Sequence, residues 1–239
     1  MAKCVATLLC ILGLFAFGCR KRVVSAGTTQ IRNMSTDRSD YAAFVNDIET
    51  FTVDVGPEGE KAWARLRSIP RDELIGRLLT TRSGLPADDS MQPRIAFVLC
   101  NLDYEYPSNV SIVASALSQK TKYRDFGADD AAGLIAKLID RGDKTLLPIL
   151  LRSADWADGA LAETLAGVFS DELRRYPQKF LLELKAESAR VRRKVFKLIQ
   201  DGSLNNEDIN RLRQMSLALP SRSPIFHIAH ELLNSGALD

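Results

Sequence analysis

The chain has few of the residues that many enzymes and secreted domains depend on. Only 7% of its 239 residues are aromatic, and it has two histidines and four cysteines. Cys4, Cys10 and Cys19 all fall near the amino terminus, which leaves Cys100 alone in the remainder. A single thiol cannot form an internal disulfide. Because Cys100 lies in the apolar run 95–100, we expect it to be buried and unreactive.

Sequence motifs that are typical of catalytic sites are also missing. The sequence has no Gly-rich phosphate loop, no Gly-x-Ser-x-Gly elbow and no His-Glu-x-x-His metalloprotease motif. Strand signals are nearly absent, because no long segment alternates apolar and polar residues. No internal apolar run approaches the roughly 18 residues of a spanning helix. With 46% hydrophobic and 26% charged residues, the chain is nevertheless expected to form a globular core.

The first residues have the pattern of a targeting segment. Lys3 supplies a positive start, and an apolar run follows from Val5 to Gly18. This run has the length of a signal peptide and is short for a membrane span. It ends with small residues at Ala16 and Gly18 and then Cys19. The segment resembles a bacterial lipoprotein leader.

That resemblance implies how the protein is delivered. In bacterial lipoproteins a lipid is attached to the cysteine thiol, here Cys19, and the preceding residues 1–18 are removed as a signal peptide. The protein is then expected to be exported and lipid-anchored to the bacterial cell envelope membrane. The charges of Arg20, Lys21 and Arg22 oppose translocation, so an ordinary cleaved signal and an uncleaved anchor remain alternatives.

A flexible tether is predicted to follow the anchor. Residues 19–38 hold the lipidated cysteine and a stretch rich in Ser, Thr, Gly and charge, without an apolar period. A flexible chain of this length spans roughly 25 Å on average. The helical domain is therefore expected to begin at residue 39 and to lie a short distance from the membrane.

Residues 39–239 have the periodicity of amphipathic helices. Apolar residues recur three and four positions apart, which predicts about eleven or twelve short helices, from one over 41–51 to one over 225–232. Pro70 is predicted to occupy the first position of its helix, and Gly84 to end that helix in a left-handed cap. Gly142 is predicted to close a later helix in the same way.

The predicted helices are arranged in pairs. The pairs recur every roughly 25 to 40 residues, and Ala87-Asp88-Asp89 reappears as Ala128-Asp129-Asp130, each time at the start of a predicted helix. The domain resembles a HEAT-like α-solenoid. The resemblance implies an all-α fold in which antiparallel helix pairs stack and bury their apolar faces against one another. An irregular helical array is the alternative.

Charge is unevenly distributed along the helical domain. Residues 39–239 carry 26 basic and 29 acidic side chains, but the segment 174–197 has nine basic and only two acidic ones. Four of its cations lie opposite an apolar stripe on a helical wheel: Arg190, Arg193, Lys194 and Lys197. They form either an ordinary solvated face or a contact for an anion or a partner. Nucleic acid is not expected, because stacking aromatics are missing from the stripe.

The two histidines are the only candidates for a metal site. His227, His230 and Glu231 share one face of a predicted helix. A catalytic zinc usually takes three protein ligands in a shaped, dry cavity, and no further His and only Cys100 remain to complete one. We therefore expect surface histidines, with no metal and no cofactor.

These features predict a membrane-tethered, non-catalytic interaction or scaffold lipoprotein of the bacterial envelope. Its expected partners are the membrane, through the lipid anchor, and another protein. The rival hypothesis is a hydrolytic or metal-assisted envelope enzyme whose site is assembled only in three dimensions. The sequence does not specify the oligomeric state.

Overall fold

The structure is a computed structural model that describes residues 38–120, 122–200 and 204–235. The predicted signal peptide 1–18, Cys19 and the tether up to residue 37 lie outside the described residues. None of the described helices is both long and apolar enough to cross a membrane.

The described part of the chain is all-α, as the periodicity predicts, and contains no β-strand. Its twelve helices are α1 (Arg38–Val53), α2 (Pro57–Ser68), α3 (Arg71–Gly84), α4 (Met91–Asn101), α5 (Tyr106–Ala116), α6 (Ala128–Asp140), α7 (Leu147–Ser153), α8 (Gly159–Arg175), α9 (Pro177–Ala186), α10 (Ala189–Gln200), α11 (Asn206–Ala218) and α12 (Phe226–Asn234). A 3-10 turn, Lys144–Leu146, precedes α7.

Helix α4 lies at the centre of the fold and joins two hydrophobic clusters. Its face with Ile95, Val98 and Leu99 packs against α1 and α3. The opposite face, with Phe97 and Cys100, belongs to the larger cluster that continues to α12. A helix that is apolar on all sides must be covered on all sides. The prediction that Cys100 is buried is confirmed, since none of its surface is exposed.

Most helix contacts join chain neighbours or helices two apart. Helix α1 packs against α2, α4 against α5, and α6, α8 and α10 contact one another in that order. Helix α1 departs from this pattern, because it also contacts α4 and α6. In a one-dimensional stack each unit contacts only its neighbours. The HEAT-like arrangement therefore stays a prediction.

Helix boundaries correct two of the predicted caps. Pro70 is the residue before α3 and not its first helical residue. Gly84 is the last residue of α3 and has no positive φ, because the chain leaves the helix at Leu85 in an extended conformation. Gly142 does adopt a positive φ of 117°, as predicted for the turn after α6. A glycine after a helix thus indicates where the helix stops, but not the geometry of the stop.

Helix α9 follows α8 after a single residue. Pro177 prevents α8 from continuing beyond Arg175, and it is also the first residue of α9. The new helix buries Phe180, Leu181 and Leu184. Proline suits a first helical position because its missing N–H would have no partner there. One residue can therefore mark the end of one helix and the start of the next.

The corner between α1 and α2 depends on a close backbone approach. The carboxylate of Asp54 accepts a hydrogen bond from the amide of Gly56, just before α2 begins at Pro57. A Cβ placed on Gly59 would lie 2.4 Å from the backbone oxygen of Asp54. No side chain fits at that distance, so Gly59 allows the end of α1 to lie against the first turn of α2.

Candidate interaction surfaces

Helix α10 presents the predicted row of cations to solvent. Its buried side holds Val191, Val195, Phe196 and Ile199. All four cations of the predicted stripe are exposed, and we call them the α10 basic face: Arg190, Arg193, Lys194 and Lys197. The buried side chains contribute about 1.5–3 kcal/mol each. Like charges four residues apart cost only tenths of a kcal/mol per pair. Packing therefore holds this helix in place despite its charge.

The four cations differ in their partners. Arg190 Nε lies 2.5 Å from Asp155 Oδ1, although its side chain is 70% exposed. Arg193, Lys194 and Lys197 have no hydrogen bond or ion pair with any other described residue. Arg193, Lys194 and Lys197 are thus available to a partner, whereas Arg190 would first have to give up its contact with Asp155.

A fifth basic residue of α10 has a structural role. The side chain of Arg192 is only 21% exposed, and its Nη1 donates to the carbonyl oxygen of Glu187 at 2.8 Å. Its Nε lies 3.4 Å from Glu231 Oε2 on α12. Arg192 therefore connects α10 with α12, and the sequence alone does not distinguish it from the exposed cations beside it.

The ion pair with Arg192 involves Glu231, which the sequence predicts to share a helix face with the two histidines. Glu231 is engaged by Arg192, His227 is exposed and His230 is half-buried. The ring of Phe226 lies 4.4 Å from that of His230 and 5.5 Å from that of His227, centroid to centroid. Within residues 38–120, 122–200 and 204–235, no group of three His, Cys, Asp or Glu side chains is placed to hold a metal ion.

Lys137 has a pKa below the usual range of a lysine. Burial lowers the pKa of Lys137 to about 8. Its Nζ donates to the carbonyl oxygens of Phe51, Thr52 and Asp54 at 3.1, 2.8 and 3.1 Å. These carbonyls end α1, where the helix itself supplies no donors and its dipole favours a cation. The contacts of Lys137 are therefore those of a helix cap.

A groove of about 550 Å³ lies between the end of α1, α6 and α8, and six acidic residues line it. Its acidic lining residues are Asp129, Asp130, Asp140, Glu163, Asp171 and Glu172. Four of them pair with cations: Asp130 with Arg94, Asp140 with Arg175, Asp171 with Arg174, and Glu172 with Lys144. The acidic groove is thus largely a network of ion pairs that joins neighbouring helices.

The best buried of these pairs is Lys144–Glu172. Lys144 Nζ lies 2.8 and 3.1 Å from the two carboxylate oxygens, and the side chains are 14% and 5% exposed. The ammonium also lies 4.2 Å from the ring centre of Tyr176. The pair joins the turn before α7 to α8. An ion pair with so little solvent is costly to break, because the remaining charge stays buried.

Three further groups with a perturbed pKa also have structural surroundings. Burial raises the pKa of Cys100 to about 12, which keeps the thiol protonated and unreactive. Burial, and the hydrogen bond from its hydroxyl to Asp143 at 2.7 Å, raise the pKa of Tyr106. Burial alone would raise the pKa of Asp143, but hydrogen bonds from Thr145 and Tyr106 outweigh it and lower that pKa. These groups stabilise the junction of α4, α5 and α6.

A second groove, of about 450 Å³, lies between the junction of α8 with α9 and helix α11. We call it the apolar groove. Its apolar lining residues are Leu173, Tyr176, Pro177, Leu204, Leu212 and Met215. Arg174, Lys179, Asp208 and Arg211 add charge. The sequence pattern does not predict this groove, because its lining combines side chains of three different helices, α8, α9 and α11.

Comparison with known proteins adds no family to these observations. No protein-family model, no curated protein and no solved structure matches the chain. Function is therefore inferred from the residues of the described helices and from the amino-terminal sequence pattern.

Proposed function

We propose that the protein is a membrane-tethered, non-catalytic interaction lipoprotein of the bacterial envelope, and that its α10 basic face contacts an acidic partner protein. The membrane anchor would be a lipid on Cys19. A HEAT-like stack of helix pairs would present the surface, and residues 20–38 would connect it to the membrane.

One observation carries this proposal: three exposed cations of α10 have no bonding partner among the described residues. Arg193, Lys194 and Lys197 occupy consecutive turns of one helix, in a domain that is acidic elsewhere. A concentrated field of one sign steers an oppositely charged partner to a defined place. Described ionisable groups with perturbed pKa values elsewhere in the domain, such as Lys137 and Cys100, are explained by capping and burial.

Co-purification from solubilised membranes tests the contact. A triple variant carrying Arg193→Glu, Lys194→Glu and Lys197→Glu should recover at least about tenfold less of the partner, since like charges across an interface cost several kcal/mol. Glutamate is a good helix former, so α10 should remain folded.

The matched control changes three exposed cations on other elements. Lys61→Glu, Lys120→Glu and Arg222→Glu lower the net charge by the same amount. This control should recover the partner as the wild type does. Equal loss of the partner in both triple variants would show that only net charge matters, which contradicts a contact at the α10 basic face. Recovery of no partner by the wild type would also contradict the proposal.

Intact mass spectrometry of membrane-extracted protein tests the anchor. The expected species lacks residues 1–18 and carries acyl groups on Cys19. A Cys19→Ser variant should keep the leader or leave the membrane fraction. A wild-type mass that corresponds to the uncleaved, unmodified chain would refute this part of the proposal.

A further inference from the structure

We infer that the apolar groove binds a single-chain anionic amphiphile, such as a free fatty acid, with its acyl chain in the groove and its headgroup at Lys179 and Arg211. This site is separate from the α10 basic face, and the inference does not rest on the proposed partner contact. Three properties of the groove carry it: its lining, its size and its excess of positive charge.

Apolar side chains occur in the lining both at the floor and at the rim. Leu173 is fully buried and Leu212 is 6% exposed, so they form the floor. Met215 is half-buried, and Tyr176 on the rim is 47% exposed. Covering apolar surface of this kind gains about 25 cal/mol per Å². The flexible thioether of Met215 suits a ligand of irregular shape.

The size favours a flexible chain over a partner helix. A volume of about 450 Å³ lies within the range of roughly 300–1,000 Å³ typical of small-molecule pockets. A helix is about 10–12 Å wide, so only one face of it could enter a groove of this volume. A flexible acyl chain can place most of its length in the same space.

The charges of the lining favour an anion, since it has three cations and one carboxylate. Arg174 lies 3.0 Å from Asp208 Oδ2 and 2.6 Å from Asp171 Oδ1. Lys179 and Arg211 are exposed and have no hydrogen bond or ion pair with another described residue, although Arg211 also interacts electrostatically with Asp208. Lys179 also lies in the first turn of α9, where the helix dipole favours an anion. A carboxylate at this end of the groove would pair with one of these cations and be attracted by the other.

Titration calorimetry of the full chain tests the site. The Cys19→Ser background removes any attached lipid that would compete for the groove. The probes are dodecanoate and dodecylammonium, both below their critical micelle concentrations. We expect one saturable site for dodecanoate and at least about tenfold weaker binding of dodecylammonium, a difference of about 1.4 kcal/mol.

Two pairs of substitutions locate the headgroup. Lys179→Gln with Arg211→Gln should weaken dodecanoate binding at least tenfold and leave dodecylammonium binding no weaker. The matched control, Lys120→Gln with Arg222→Gln, removes two exposed cations elsewhere and should change neither. Absence of saturable dodecanoate binding, equal affinity for the two probes, or equal effects of the two variant pairs would overturn the inference. All four side chains are exposed, so both variants should fold.

Discussion

Breaking the Lys144–Glu172 pair should be far more costly than breaking a surface pair of the same length. Lys144 Nζ lies 2.8 Å from Glu172 Oε1 with little solvent around either side chain. At an effective dielectric constant of about 20, the attraction at this distance is about 6 kcal/mol before desolvation is counted. Lys144→Met leaves a buried, uncompensated carboxylate, for which a loss of about 3–5 kcal/mol is expected.

The chain offers a matched comparison. Lys61 Nζ lies 2.7 Å from Glu58 Oε1, but the two side chains are 63% and 61% exposed. Solvent screening and side-chain entropy reduce such a pair to about 0.2–0.5 kcal/mol. Lys61→Met should therefore destabilise the protein by less than about 0.5 kcal/mol. The shortest distance is similar in the two pairs, but the Lys144 pair is far more buried, and Lys144 also contacts the second carboxylate oxygen and the ring of Tyr176.

Urea unfolding followed by circular dichroism measures both variants. The double variant Lys144→Met with Glu172→Met should recover most of the loss, because replacing a buried ion pair by apolar side chains is often neutral or stabilising. The slope of the transition should stay constant if only stability changes. The reasoning is refuted if Lys144→Met costs no more than Lys61→Met, or if the double variant is no more stable than Lys144→Met alone.

Three further predictions concern single residues. Gly59→Ala should destabilise the protein by about 1–3 kcal/mol, because the new Cβ overlaps Asp54. Gly76→Ala in α3 should stabilise it by about 0.5–1 kcal/mol, because a Cβ there meets nothing within 4 Å. Thermal unfolding that ranks the two variants the other way would contradict this. Because the pKa of Lys137 is lowered to about 8 in the folded protein, the unfolded chain binds more protons between about pH 8 and 10. The unfolding free energy of the wild type minus that of Lys137→Met should therefore rise with pH over that range, and a flat or falling difference would count against it. Cys100 should resist a thiol reagent at pH 8 in the folded protein and react on unfolding; peptide mass spectrometry showing rapid labelling of the native state would disprove its burial.

Local periodicity predicts much of this fold because helix faces are local properties. The apolar stripe Val191, Val195 and Ile199 is buried, and the cations opposite it are exposed. Helix α9 is harder to predict locally, because a proline opens it and its ten residues offer only a short apolar stripe, with Phe180 and Leu184. Tertiary packing, and not the local signal alone, decides such segments.

Contacts between distant residues lie beyond this kind of prediction. Lys137 caps α1 across more than 80 residues of sequence. Arg190 pairs with Asp155, and Arg192 pairs with Glu231 on α12. The five cations of α10 therefore differ in their contacts, although they are neighbours in the sequence. A helical wheel assigns direction but not partners. For that reason the α10 basic face could be predicted, whereas the apolar groove and the acidic network could not.

Site-specific photo-cross-linking in intact cells tests the proposed contact most directly. A photoreactive amino acid replaces Lys194 on the α10 basic face or, as a control, exposed Lys61 on α2. We expect one discrete protein adduct from position 194 and none from position 61. The absence of an adduct at 194, or the same adducts from both positions, would contradict it.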